Sequence, residues 1–131
     1  MPINVFSHGR FVAFRYDRED CTGSHTGQRK CDVIVCEIAN ENNGTNSLWL
    51  VEIKRGNVDY GKAQSALTQI CSCESISRVN GGWVLKKAVV GDSFRHEGVT
   101  VLRKGNVIPL RSTIRQGEPN RELIEAINRV Y

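Results

Sequence analysis

The sequence contains no CxxC pair, no repeat, no low-complexity tract and no stretch approaching the roughly 20 apolar residues that span a bilayer. Without a CxxC pair, the donors that a structural zinc would need (Cys21, His25, Cys31, Cys36, Cys71 and Cys73) lack the usual knuckle spacing. Five cysteines cannot all pair within one chain, so they read as small hydrophobes of a reducing compartment. The opening Met1-Pro2-Ile3-Asn4-Val5-Phe6 has neither the basic head nor the sustained apolar run of a secretory signal. The expectation is a soluble, cytoplasmic protein with no membrane association. No serine or cysteine sits in a nucleophile motif, and His8, His25 and His96 are dispersed, each read as an exposed or loop histidine.

What remains is an ordinary globular composition. The chain has 131 residues, 40% of them hydrophobic and 24% charged, with no linker that would divide it. A single domain of this size buries about two-thirds of its unfolded surface. The net charge of +4 is spread along the chain. It permits a polyanionic partner, although most such charges only solvate a surface.

Hydrophobic periodicity supplies the elements. Val5-Phe6 and Phe11 to Phe14 read as short strands joined through Ser7 to Arg10, and a polar loop runs from about Asp17 to Lys30. Cys31 to Ala39, rich in β-branched residues, predicts a strand, and Ser47 to Arg55 predicts another that is apolar on both faces until Glu52. Gly56 to Gly61 is a loop in which Asp59 would cap the next helix. From Lys62 to Ser77 the period becomes helical, with Ala63, Leu67, Ile70 and Cys71 on the inner face and small residues that allow close approach to a sheet. Trp83 to Val90 is a further strand, and Val99 to Leu110 reads as a hairpin turning at Lys104-Gly105-Asn106. Pro119 to Val130 closes the chain as an amphipathic helix with Leu123, Ile124, Ile127 and Val130 inward and Asn120 near the cap. The order predicts an α/β protein with a central mixed β-sheet flanked by helices.

The acids fall in an unusual place. Side chains alternate along a strand, so Leu48, Leu50, Glu52 and Lys54 share one face, and Trp49, Val51 and Ile53 the other. Charge at the end of so apolar a strand is costly unless it is paired or binds a metal. Asp32 opens the preceding strand, so the two carboxylates converge if the strands are neighbours. A hard divalent cation such as Mg²⁺ takes one or two carboxylates with waters and substrate phosphate. Lys54 could orient the attacking water or offset charge in the transition state. The bland alternative is a surface ion pair of Glu52 with Lys54, worth about 0–1 kcal/mol. Glu37, five residues after Asp32 and on the other side of the strand, reads as a rim charge, and Trp49 and Trp83 as core residues rather than stacking platforms.

Asp32, followed after a strand and loop by Glu52-Ile53-Lys54 and a helix containing Gln64, resembles the PD-(D/E)XK nuclease superfamily over roughly Lys30 to Ser77. Cys31 stands where the superfamily's name has proline, and no clear helix precedes the first motif strand, where many members contribute another acid; Glu19 or Asp20 of the preceding loop would be the substitute. The resemblance implies a restriction endonuclease-like fold and a divalent-metal-dependent nuclease. It implies Mg²⁺ (or Mn²⁺) held by Asp32, Glu52 and the Ile53 carbonyl. Lys54 would be the catalytic lysine, and Gln64 or Gln69 an accessory polar residue. Arg29, Lys30, Arg55 and Lys62 flank the motif and would track the backbone of nucleic acid, DNA ahead of RNA. Nucleases of this type often act as a homodimer, with Val99 to Leu110 the candidate interface. The rival expectations are a non-catalytic nucleic-acid or protein-binding module and a small toxin nuclease bound by an inhibitor protein.

Overall fold

The apolar segments pair into one mixed sheet. A computed structural model describes residues 5–15, 32–39, 44–73, 83–112 and 121–129. Eight strands are present among them: β1 (Val5–His8), β2 (Phe11–Arg15), β3 (Val33–Glu37), β4 (Ser47–Ile53), β5 (Asn57–Val58), β6 (Val84–Gly91), β7 (Ser93–Phe94) and β8 (Val107–Arg111). Three helices accompany them: α1 (Tyr60–Cys73), α2 (His96–Lys104) and α3 (Arg121–Asn128). The main sheet has six strands in the order β1-β2-β3-β4-β6-β8, and β5 and β7 form a separate two-stranded parallel pair. From β1 to β4 the pairing is antiparallel, whereas β4, β6 and β8 run parallel. Parallel neighbours need crossover connections, and α1 and α2 lie in those two connections.

The alternation along β4 sorts the core into two layers. Trp49 and Val51 face one side with Val33, Val35, Leu123, Ile124 and Ile127, so α3 covers that face. Leu50 faces the other with Ile34, Ala63, Ala66, Ile70, Val101 and Leu102, so α1 and α2 cover it. The expected α/β architecture, a mixed central sheet flanked by helices, is therefore present. Ala63 and Ala66 are fully buried, which is how α1 approaches the sheet so closely. Its inner face is Ala63, Ala66, Leu67 and Ile70; Cys71, expected inward, is exposed. Burial pushes the thiol of Cys36 up, which keeps it protonated and suits a packing role. Asn120 and Val130 lie outside the described residues.

The expected hairpin from Val99 to Leu110 is not formed. Val99 to Lys104 belongs to α2, and only Val107 onward is strand. Val99-Thr100-Val101 mimics β alternation, but Gly98, Val101 and Leu102 are the buried residues, the i, i+3, i+4 spacing of a helix. Glu97 in the first turn and Arg103 and Lys104 in the last complement the helix dipole. The Gly105-Asn106 signal marks the end of α2, with Asn106 at φ 59, so the segment suggested as a homodimer interface is a helix followed by a strand and not a hairpin.

Gly98 is fixed by a close approach. A Cβ there would lie 2.6 Å from the carbonyl oxygen of Val58, so the first turn of α2 rests directly on the β5 backbone. Gly98→Ala is expected to lower stability by about 1–3 kcal/mol through overpacking, measured as a drop in the thermal midpoint. An unchanged midpoint would show that α2 can shift freely.

Candidate active site

Both motif strands end at the same edge of the fold. Val33 pairs with Val51 and Ile34 with Leu50, so the antiparallel register carries Asp32, just before β3, across from Glu52. A direct contact fixes this placement: the Ile53 amide donates to Asp32 Oδ2 at 2.8 Å. The aspartate thus replaces a ladder acceptor where β3 begins. Glu52 is 1% exposed and Asp32 half-buried, so both carboxylates are withdrawn from bulk water. Glu52 has polar contacts of its own, while its buried Oε2 takes no hydrogen bond among the described residues.

Lys54 leaves the sheet on the face that alternation assigns it. Its amide donates to the Val90 carbonyl at 2.8 Å, continuing the β4–β6 ladder. Its ammonium donates to Gln69 Oε1 at 2.9 Å and Ser65 Oγ at 3.4 Å, both on α1. The two acceptors lie four residues apart, the stripe of α1 that faces the strand end. Gln69, not Gln64, therefore meets the lysine. Gln64 is one position from Ser65, roughly 100° around the helix. It is exposed and donates to the Tyr60 hydroxyl at 3.2 Å.

The flanking cations separate into two groups. Arg29 and Lys30, with Glu19, Asp20 and His25, lie outside the described residues. Arg55 is exposed, and its carbonyl accepts from Lys62 Nζ at 2.6 Å, which folds Lys62 back toward the motif. Asp59 caps α1 as expected, its Oδ1 accepting from the Lys62 amide at 2.9 Å. Asp92 was not anticipated. It follows β6 and accepts from the Gly56 amide at 3.0 Å, bracing the turn after Lys54, where Gly56 has φ 73. An acid immediately after an apolar strand was its signal, the same signal that singled out Glu52.

The opposite end of the sheet holds a second polar group, on the α3 side. Glu37 is not a rim charge but fully buried. It accepts from Trp49 Nε1 at 3.1 Å and from Arg10 Nε at 3.3 Å, and Arg10 reaches Asn128 of α3 at 3.3 Å. The Lys86 ammonium lies 5.2 Å from the centre of the Trp49 ring. Burial lowers the Lys86 pKa, Glu37 raises it and Arg10 lowers it further. Trp49 is core, as expected. This cluster ties the β1–β2 turn, β3, β4 and α3 together through paired charge, the condition under which a carboxylate can be buried.

The two described histidines lie elsewhere: His8 stacks on Phe6 at 6.5 Å, and His96 is exposed at the start of α2. No cluster of three or more metal-ligating side chains occurs among the described residues. Asp32 and Glu52 carry the hard carboxylate oxygens that Mg²⁺ or Mn²⁺ takes alongside waters and phosphate. No helix among the described residues is long and apolar enough to cross a membrane. Comparison with protein-family models, curated proteins and solved structures yields no match to this chain.

Proposed function

We propose that this protein is a divalent-metal-dependent nuclease with a restriction endonuclease-like fold, hydrolysing phosphodiester bonds of nucleic acid. The observation that carries this reading is the hydrogen bond from the Ile53 amide to Asp32, which holds one motif acid against the strand bearing Glu52 and Lys54. Also consistent are the order of an antiparallel pair, α1 and the parallel β6, and the anchoring of Lys54 by Gln69 and Ser65.

Asp32, Glu52 and the Ile53 carbonyl would hold the ion. When bound, such an ion polarises a phosphoryl oxygen and acidifies water. The protein's own contribution is placement. Gln69 and Ser65 restrain an ammonium that would otherwise move on a flexible stem, and fixed charge aimed at the developing phosphoryl oxygens lowers the barrier without reorganisation. Attack by water on phosphorus breaks one P–O ester bond, and the departing oxygen takes a proton.

Two measurements test the reading together. Incubation of the chain with plasmid, single-stranded DNA and RNA should give cleavage in Mg²⁺ or Mn²⁺ and none in chelator. Mn²⁺ at about a hundred times its dissociation constant should stabilise the fold by about 2.7 kcal/mol. That rise in thermal midpoint should vanish in Asp32→Asn. A parent chain that cuts none of the three with either metal and shows no midpoint shift would refute the proposal.

A further inference from the structure

A shallow, open cleft of about 490 Å³ lies beside the motif, lined by the exposed residues Asn57, Asp59, Tyr60, Lys62, Arg95 and Glu97. It lies between the first turns of α1 and α2, over the short β5–β7 pair. The backbone beneath it is closely packed. Ser93 Oγ donates to Asn57 Oδ1 at 2.9 Å, the Arg95 amide donates to the Val58 carbonyl at 2.9 Å, and a Cβ at Gly91 would lie 2.5 Å from the Val58 side chain. The backbone under the cleft is therefore preformed, while a ligand would still order the exposed side chains around it.

The lining describes the ligand. Two cations, Lys62 and Arg95, are matched by two carboxylates, Asp59 and Glu97, so a bare polyanion gains little net attraction there. A polar body carrying a single phosphate charge fits better. Tyr60, 57% exposed, supplies an aromatic ring. Gln64 Nε2 donates to its hydroxyl at 3.2 Å. An exposed ring stacks on a base only when that base is unpaired. Lys62 links the cavity to the motif through the Arg55 carbonyl, one residue beyond Lys54. Both places lie at the carboxyl ends of the parallel strands β4 and β6, where crevices of open α/β sheets take ligands.

We infer that this cavity receives an unpaired nucleotide of a nucleic-acid strand, its base against Tyr60 and its phosphate near Lys62 and Arg95. That this nucleotide adjoins the bond to be cut rests on the nuclease reading; that the cavity binds it does not.

The test is fluorescence anisotropy of the full chain, in chelator so that nothing is cut, with end-labelled single-stranded DNA, single-stranded RNA and a blunt DNA duplex. Tyr60→Ala should weaken single-strand binding about fivefold to a hundredfold, with Tyr60→Phe close to the parent and duplex binding within about twofold. Arg95→Gln should reduce the salt dependence of single-strand binding by about one phosphate contact. The DNA and RNA arms identify the strand. Equal single-strand binding by Tyr60→Ala and the parent, or an equal loss on the duplex, overturns the inference. Cleavage measured separately in Mn²⁺ separates the two readings. A chain that binds through Tyr60 but cuts nothing keeps the cavity and loses the nuclease. A chain that cuts, and binds identically without Tyr60, loses the cavity alone.

Discussion

Glu52→Gln is expected to reduce phosphodiester cleavage by at least about a hundredfold while leaving a folded protein. Outer-shell partners of metal ligands already cost about ten- to a hundredfold when removed, so a carboxylate in the ligand position should cost no less. The fold should survive because glutamine keeps the shape of a side chain buried at the end of β4. It should even become slightly more stable. The register sets Asp32 and Glu52 across from each other, and like charges in opposed positions destabilise a strand pair. Neutralising one should raise the metal-free thermal midpoint by the equivalent of up to about 1 kcal/mol. Single-turnover cleavage in Mn²⁺ and thermal denaturation in chelator read the two effects independently. Cleavage within about tenfold of the parent would remove Glu52 from the site.

The other large effect concerns stability and lies at the far end of the sheet. Glu37→Ala is expected to destabilise the chain by about 2–4 kcal/mol, a large fraction of the 5–15 kcal/mol typical of a domain. Depriving the buried Trp49 indole N–H of this acceptor accounts for about 1–3 kcal/mol, and the emptied side-chain volume adds to it. The Arg10 partner is about one-third exposed, so its share is small. Glu37→Gln retains an acceptor for Trp49 and should cost roughly half as much. Urea unfolding of both variants gives the comparison. A midpoint for Glu37→Ala matching the parent would mean that the cluster contributes only shape.

The readable parts of the chain were those where period and chemistry agree. In β4, the alternation of Leu48, Leu50, Glu52 and Lys54 against Trp49, Val51 and Ile53 sorts the side chains correctly, because successive residues of any strand point to opposite faces. The Asp59 cap was legible for a similar reason, since a short acid before a helical period has one common use. Helix α2 was not. Its β-branched Val99-Thr100-Val101 favours strand locally, and packing against α1, Val58 and β8 decides otherwise. Glu37 was misjudged because its acceptors' partners, Arg10 and Trp49, are remote in sequence. Local pattern carries no information about such a pairing. The choice between Gln64 and Gln69 turned on the rotation of α1 about its own axis, which the first residue of the helix sets. The cavity was invisible for a related reason: its walls come from two helix starts that meet only once β5 and β7 pair.

The hydrogen bond between Asp32 and the Ile53 amide also bears on ion selectivity. With Oδ2 bound to the neighbouring backbone at 2.8 Å, Asp32 would have its other oxygen left for a cation and so would grip through one point rather than two. Larger ions such as calcium favour carboxylates that embrace them with both oxygens, whereas magnesium and manganese accept single-point ligands in a strict octahedron. A contact whose first task is to start a strand would thereby bias the site toward the smaller ions.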